Sequence, residues 1–143
     1  MALISTTVIA AAAAFAAPAA EGGRKFTVQL TGAAEAPVTG DPDGSGTARL
    51  TVNPGQGRVC YDIEARNIDA PTAGHIHEAP PGVAGPVVVG LFASSTNTSL
   101  SLSGCVPLSR AQAMEIIKTP SDYYVNLHNA AYPGGAIRGQ MSK

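Results

Sequence analysis

The chain has 143 residues, of which 13% are charged, and 9 Lys and Arg against 10 Asp and Glu leave a net charge of −1. That length suits one compact domain. With no Lys/Arg stripe, no Trp and few aromatics, the composition excludes a nucleic-acid groove, a basic membrane-surface helix and a stacking platform for bases or sugars.

Leu3 to Ala17 is an apolar, alanine-rich run that ends in the small residues Ala17-Pro18-Ala19. It reads as the hydrophobic region and cleavage site of a secretory signal. It is short for a membrane span and carries no charged stop-transfer flank. No Lys or Arg precedes it, a departure from the usual charged start of such signals. The expectation is a signal peptide over residues 1–20 and one mature domain over residues 21–143 without an integral membrane span. The protein is then secreted, periplasmic or held at the cell surface. In an oxidising compartment Cys60 and Cys105, the two cysteines of the chain, favour a bridge. Closing so long a loop stabilises by roughly 3–4 kcal/mol in the chain-entropy model. Two buried free thiols, or a cysteine serving as a soft metal ligand beside the histidines, are the alternatives.

Past Glu21, glycine and proline punctuate short alternating stretches, the pattern of an all-β sandwich or barrel. Phe26, Val28 and Leu30 alternate with polar neighbours, and Asp41 to Gly46 forms a turn or loop. Ala48, Leu50 and Val52 make the next apolar face. Asn53-Pro54-Gly55-Gln56-Gly57 turns the chain into a third strand with Val59, Tyr61 and Ile63 on one face and Cys60 and Asp62 on the other. Pro86 to Phe92 is almost continuously apolar, as in a strand buried on both faces. Ser94 to Ser103 reads as a polar loop or edge strand, and Asn97-Thr98-Ser99 within it matches a short glycosylation sequon. One short helix is expected after Ser109, with Ser109 and Gln112 as a capping box, Met114, Ile116 and Ile117 on the apolar side, and Pro120 as the stop. Tyr123 to His128 and Ala136 to Met141 are the last strands.

The three histidines, His75, His77 and His128, fall in two of these stretches. Residues i and i+2 of a strand share a face. His75 and His77 therefore point one way and Ile76 the other. In the later strand Tyr124, Asn126 and His128 share a face opposite Tyr123, Val125 and Leu127. With Ile76, Val125 and Leu127 inward, all three imidazoles lie on the outer side of the sheet. Two residues along a strand span about 6.5 Å, close enough for two imidazoles to meet on one ion. A three-nitrogen set suits copper or zinc and disfavours calcium and magnesium, and three protein ligands leave a position open. Histidines anchoring loops by hydrogen bonds on a sheet surface are the alternative. Tyr124 and Asn126 are either supports of the metal ligands or ordinary strand polars. No Ser/His/acid or Cys/His set stands out for nucleophilic catalysis. The glycines at 82, 85, 134 and 135 read as turn residues, since no helix N-terminus follows them at phosphate-binding spacing.

Four blocks in order carry a resemblance: Ala73-Gly74-His75-Ile76-His77, Gly82 to Val89, Tyr123 to His128, and Pro133 to Gln140. Together they resemble the CHRD domain, the module first described in chordin and common in exported bacterial proteins. The resemblance runs from Phe26 to Met141. A more distant similarity is to copper/zinc superoxide dismutase, in which a His-x-His pair, a later histidine and a late arginine surround copper on the outer wall of a Greek-key barrel. That similarity implies a superoxide-dismutase-like Greek-key fold with His75, His77 and His128 as metal ligands, and Arg138 as an anion-steering charge. Arg138 can instead pair with a carboxylate such as Glu78 or Asp122. The chain has no fourth histidine to bridge copper to zinc and no further His/Asp cluster for a zinc subsite.

These readings combine into an exported binding module with a three-histidine copper site. A copper-dependent redox enzyme of superoxide-dismutase type, and a metal-free structural or protein-interaction domain with an extracellular protein partner, are the other two readings.

Overall fold

The computed structural model describes residues 22–143, so the expected signal peptide lies outside the described residues. Eight strands form one antiparallel sheet: β1 (Arg24–Thr31), β2 (Ser45–Asn53), β3 (Arg58–Arg66), β4 (Ala73–Glu78), β5 (Val87–Ala93), β6 (Ser101–Pro107), β7 (Tyr123–His128) and β8 (Ile137–Gln140). Their order is β5-β4-β7-β8-β1-β2-β3-β6. The chain crosses from β3 to β4 and, through the helix, from β6 to β7 rather than to the next strand in the sheet, the connectivity of a Greek key. The edge strands β5 and β6 come into contact, so the sheet curls into a nearly closed barrel with one helix, α1 (Arg110–Lys118).

Alternation builds the interior. Phe26, Val28 and Leu30 of β1, Ala48, Leu50 and Val52 of β2, and Val59 and Ile63 of β3 are buried together with Ile76, Val125, Leu127 and Ile137. Asn53 to Arg58 closes the β2–β3 hairpin, in which Val52 faces Val59. At the far edge, Cys60 pairs directly with Cys105 across β3 and β6, and the two form a disulfide.

The helix begins where expected. Ser109 Oγ accepts from the Gln112 amide at 3.2 Å, and the hydroxyl donates to Gln112 Oε1 at 2.9 Å. Gln112 thus reaches the Ser109 hydroxyl instead of its backbone amide. Ala113 and Ile116 carry the buried side, whereas Met114 is 47% exposed. The i, i+3 pair Ala113/Ile116 faces the barrel, and this rotation leaves Met114 outside.

The reading of Pro86 to Phe92 as buried on both faces is corrected. β5 is an edge strand in which Val89 and Leu91 point inward while Val87 and Gly90 are exposed. Its apolar residues exceed what one buried face requires, and composition does not distinguish an edge from a centre.

Candidate metal centre

Strands β4, β7 and β8 lie side by side, and their registers set polar rows across the outer wall. His75 faces Asn126, which faces Arg138; His77 faces Tyr124, which faces Gln140; Ala73 faces His128. The opposite faces of β4 and β7 carry Ile76, Val125 and Leu127, each fully buried. The histidines therefore point away from the barrel interior, as alternation requires. That wall is nevertheless covered. His77, Tyr124, Asn126 and Arg138 are 8%, 3%, 2% and 1% exposed.

Two loops are fastened beside it by polar side chains. The loop from Ala79 to Pro86 lies over β4, β7 and β8. Arg138 donates to the carbonyls of Val83 at 2.8 Å and Pro80 at 3.0 Å, and Gln140 Nε2 donates to Ala79 O at 2.8 Å. The Gly85 amide donates to the Tyr124 hydroxyl at 3.2 Å. Gly85 packs so close to β4 that a Cβ on it would stand 2.0 Å from the Glu78 carbonyl, which requires glycine here. The second loop, Asn129 to Ala136, is folded by Asn129 Oδ1, which accepts from the Tyr132 amide at 2.8 Å. Gly135 there has φ +137°, a backbone conformation favouring glycine.

Each loop fixes one imidazole. His77 Nδ1–H donates to Gly85 O and His128 Nδ1–H donates to Pro133 O, both at 2.9 Å. A neutral imidazole has one N–H, so both residues keep a bare Nε2. Carbonyls that orient ring nitrogens in this way are the usual outer support of a metal-bound histidine. His75 Nδ1 lies 3.0 Å from His128 Nε2. The three residues offer ligand nitrogens all within 4.8 Å of one another. Two nitrogens about 2.1 Å from one ion stand about 3.4 Å apart at the tetrahedral angle, so a pair at the 4.8 Å limit has to close by about 1.4 Å to share an ion. His77 Nε2 is buried and has no hydrogen-bond partner. An orphaned imidazole lone pair costs free energy and marks a position a cation can fill. The three histidines form a donor set that could hold a metal ion.

Electrostatics favour the neutral form of His75 and His128. Burial, and then the neighbouring His128 and His77, lower the pKa of His75 to about 4. Burial also lowers that of His128. Neutral imidazoles are the metal-binding form.

Arg138 does not pair with Glu78 or Asp122. Its guanidinium lies 3.4 Å from the centre of the Tyr124 ring, and its N–H groups go to the two loop carbonyls and to Gln140 Oε1. Tyr124 stacks in turn on His77, with centroids 4.7 Å apart and planes 5° from parallel. Tyr124 and Asn126 thus both touch histidines of the cluster, Asn126 through its Oδ1 position 3.1 Å from His128 Nε2.

Sequence reasoning missed Glu35. It follows a short 3-10 turn after β1 and is 6% exposed. Burial pushes its pKa up to about 7, against the opposing pull of Arg138 and of hydrogen bonds from Asn126 and Ala36. The only signal in the sequence is an isolated acid in the apolar run Ala33-Ala34-Glu35-Ala36-Pro37.

No curated protein and no solved structure matches the chain. The family model for the CHRD domain matches residues 26–141. That span contains all eight strands but the first two residues of β1, and with them both loops and the three histidines; the chain belongs to the CHRD domain family.

Proposed function

We propose that this chain is an exported CHRD-domain binding module in which His75 Nδ1, His77 Nε2 and His128 Nε2 hold a copper ion. One observation carries the reading: His77 Nε2 is buried without a partner inside a cluster of three imidazoles, two of which, His77 and His128, give their Nδ1–H to loop carbonyls. Anchoring loops accounts for the Nδ1 bonds of His77 and His128 and leaves the buried His77 Nε2 without a role. Copper, when bound, would supply Lewis acidity and one-electron chemistry; the chain supplies neutral nitrogen donors, a fixed ring orientation and a cover against bulk water. Export is supported by the Cys60–Cys105 disulfide and by the apolar, alanine-rich start of the sequence. Among the described residues no helix is long and apolar enough to cross a membrane.

Binding is favoured over superoxide-type redox catalysis by the state of Arg138. A steering arginine presents its charge to an incoming anion, whereas this guanidinium is 1% exposed and engaged by carbonyls and a ring. We assign it to fastening the loop over the histidines.

The test is a competition titration of the purified chain with Cu(I), Cu(II) and Zn(II), beside His75→Ala and His128→Ala. Sub-micromolar copper affinity lost in both variants is expected. Equal, weak binding in all three proteins overturns the metal site. A superoxide assay on the copper-loaded chain then separates a binder, no faster than free copper, from an enzyme.

A further inference from the structure

Asn126 and His75 face each other across β7 and β4, so their side chains leave the sheet side by side on the histidine face. Asn126 is 2% exposed, and its amide has little access to bulk water. Its Oδ1 position lies 3.1 Å from His128 Nε2, and His75 Nδ1 lies 3.0 Å from the same atom. His128 gives its Nδ1–H to Pro133 O, so in the neutral ring Nε2 has a lone pair and no proton.

Two neighbours therefore crowd one acceptor. If His75 Nδ1–H takes the lone pair, the Asn126 amide faces a position already filled. If Asn126 turns its N–H to Nε2, His75 Nδ1 is left in the same way. With the oxygen of Asn126 toward Nε2, two acceptors stand at hydrogen-bond distance with no proton between them. A cation resolves the conflict, because His75 Nδ1, His128 Nε2 and Asn126 Oδ1 can each give it an electron pair. Arg138, opposite Asn126 on β8, does not play that part. Its N–H groups go to Val83 O, Pro80 O and Gln140 Oε1.

The separations are those of ligands. Two atoms about 2.1 Å from one ion stand about 3.4 Å apart at the tetrahedral angle. His75 Nδ1 and Asn126 Oδ1, at 3.0 and 3.1 Å from His128 Nε2, are both near that value. Asn126 is thus closer to ligand spacing than a histidine pair at the 4.8 Å limit of the cluster.

We propose that Asn126 Oδ1 is a fourth protein ligand, which closes with an amide oxygen the position that His75, His77 and His128 leave open on a divalent ion. This inference rests on the metal-binding reading above and deepens it. Three protein ligands and an open position are the mark of a catalytic site, and four protein ligands that of a closed one. The ion then has no vacant position for a small oxidant, and the site retains metal without turning over a substrate. The donor set also selects among ions. Soft donors select Cu(I), whereas an oxygen donor suits divalent ions. Asn126 is therefore a specificity residue, favouring Cu(II) and Zn(II) over Cu(I).

Zinc(II), which has no redox chemistry, supplies the test. The chain is made with asparagine isotope-labelled at the side-chain carbonyl carbon, and infrared difference spectra compare zinc-loaded with metal-free protein. A bound cation polarises a carbonyl, so an isotope-sensitive amide C=O band should move to lower frequency on loading. No such band should move in Asn126→Leu or Asn126→Asp. A band that stays or rises in wild type, with zinc bound tightly and that binding lost in His128→Ala, overturns the fourth ligand and leaves the three-histidine site standing. Zinc binding no tighter than in His128→Ala removes the site and its fourth ligand together. Affinity gives a second reading. Asn126→Leu should lose about tenfold or more in Zn(II) affinity and less than about threefold in Cu(I) affinity. Asn126→Asp, with a carboxylate oxygen in the same place, should keep or raise Zn(II) affinity. Equal losses for both ions in Asn126→Leu make Asn126 a support of His128 alone and overturn the proposal.

Discussion

His77 and Tyr124 stack face to face across neighbouring strands, 4.7 Å between ring centres and 5° from parallel. The stack joins His77 to the loop over it, because the Tyr124 hydroxyl accepts from Gly85 N while Gly85 O accepts from His77 Nδ1. Removing the hydroxyl leaves the half-buried Gly85 amide unpaired and the ring in place. Tyr124→Phe should cost about 1 kcal/mol in urea unfolding, speed amide exchange at Gly85, and retain metal. Gly85→Ala drives a Cβ into the Glu78 carbonyl and should cost about 2 kcal/mol or more, with metal affinity falling as His77 loses its orienting carbonyl.

Arg138 holds the same cover from β8. Arg138→Leu strips the Pro80 and Val83 carbonyls of charged donors and should destabilise by about 3 kcal/mol. Arg138→Lys should recover little of this, since an ammonium cannot reproduce the planar fork or its stacking on Tyr124. Arg138 also pulls the Glu35 pKa down, so Arg138→Leu should shift Glu35 titration to higher pH, measurable by carboxyl infrared absorption.

The metal-free protein should lose stability at both ends of the neutral range. The native pKa of His75 is about 4, below its ordinary value of 6.5, and that of His128 is also lowered. As pH falls from 6.5 toward 4 the unfolded chain binds protons that the native state refuses, and stability drops. Glu35 acts in the opposite direction. Its native pKa of about 7 lies above the ordinary 4.5, so its stabilising contribution is full below 4.5 and is lost as pH rises to 7. Glu35→Gln should therefore be more stable than wild type above pH 7 relative to its standing at pH 4, read by thermal melts across that range.

The disulfide joins β3 to β6, four strands or more from β7 along the sheet order. The Cys60→Ser/Cys105→Ser double variant should lose about 3–4 kcal/mol of stability and keep its metal affinity. A thiol count on unfolded, unreduced wild type should read zero.

Alternation made the orientation of the site legible. Ile76, Val125 and Leu127 are apolar at every second position, and their burial fixes the direction of His75, His77, Asn126 and His128 without knowledge of the partners. It could not show that the wall is covered, because the Ala79–Pro86 loop is pinned by Arg138 and Gln140 from a strand some 55 residues later. Glu35 was hidden for the same reason. Its carboxyl meets Gly135 only because β1 pairs with β8, Thr31 opposite Arg138, and no local pattern encodes that pairing. The role of Arg138 also depended on its neighbours: the family resemblance offered a steering charge, and the fold gives it two carbonyls and an aromatic face.

X-ray absorption fine structure at the copper edge of the loaded chain tests the central claim most directly. The account predicts a first shell dominated by imidazole nitrogens at about 2 Å, with the outer-shell scattering of intact rings diminished in His77→Ala. An oxygen-only shell without imidazole scattering, or a spectrum unchanged in His77→Ala, would contradict it.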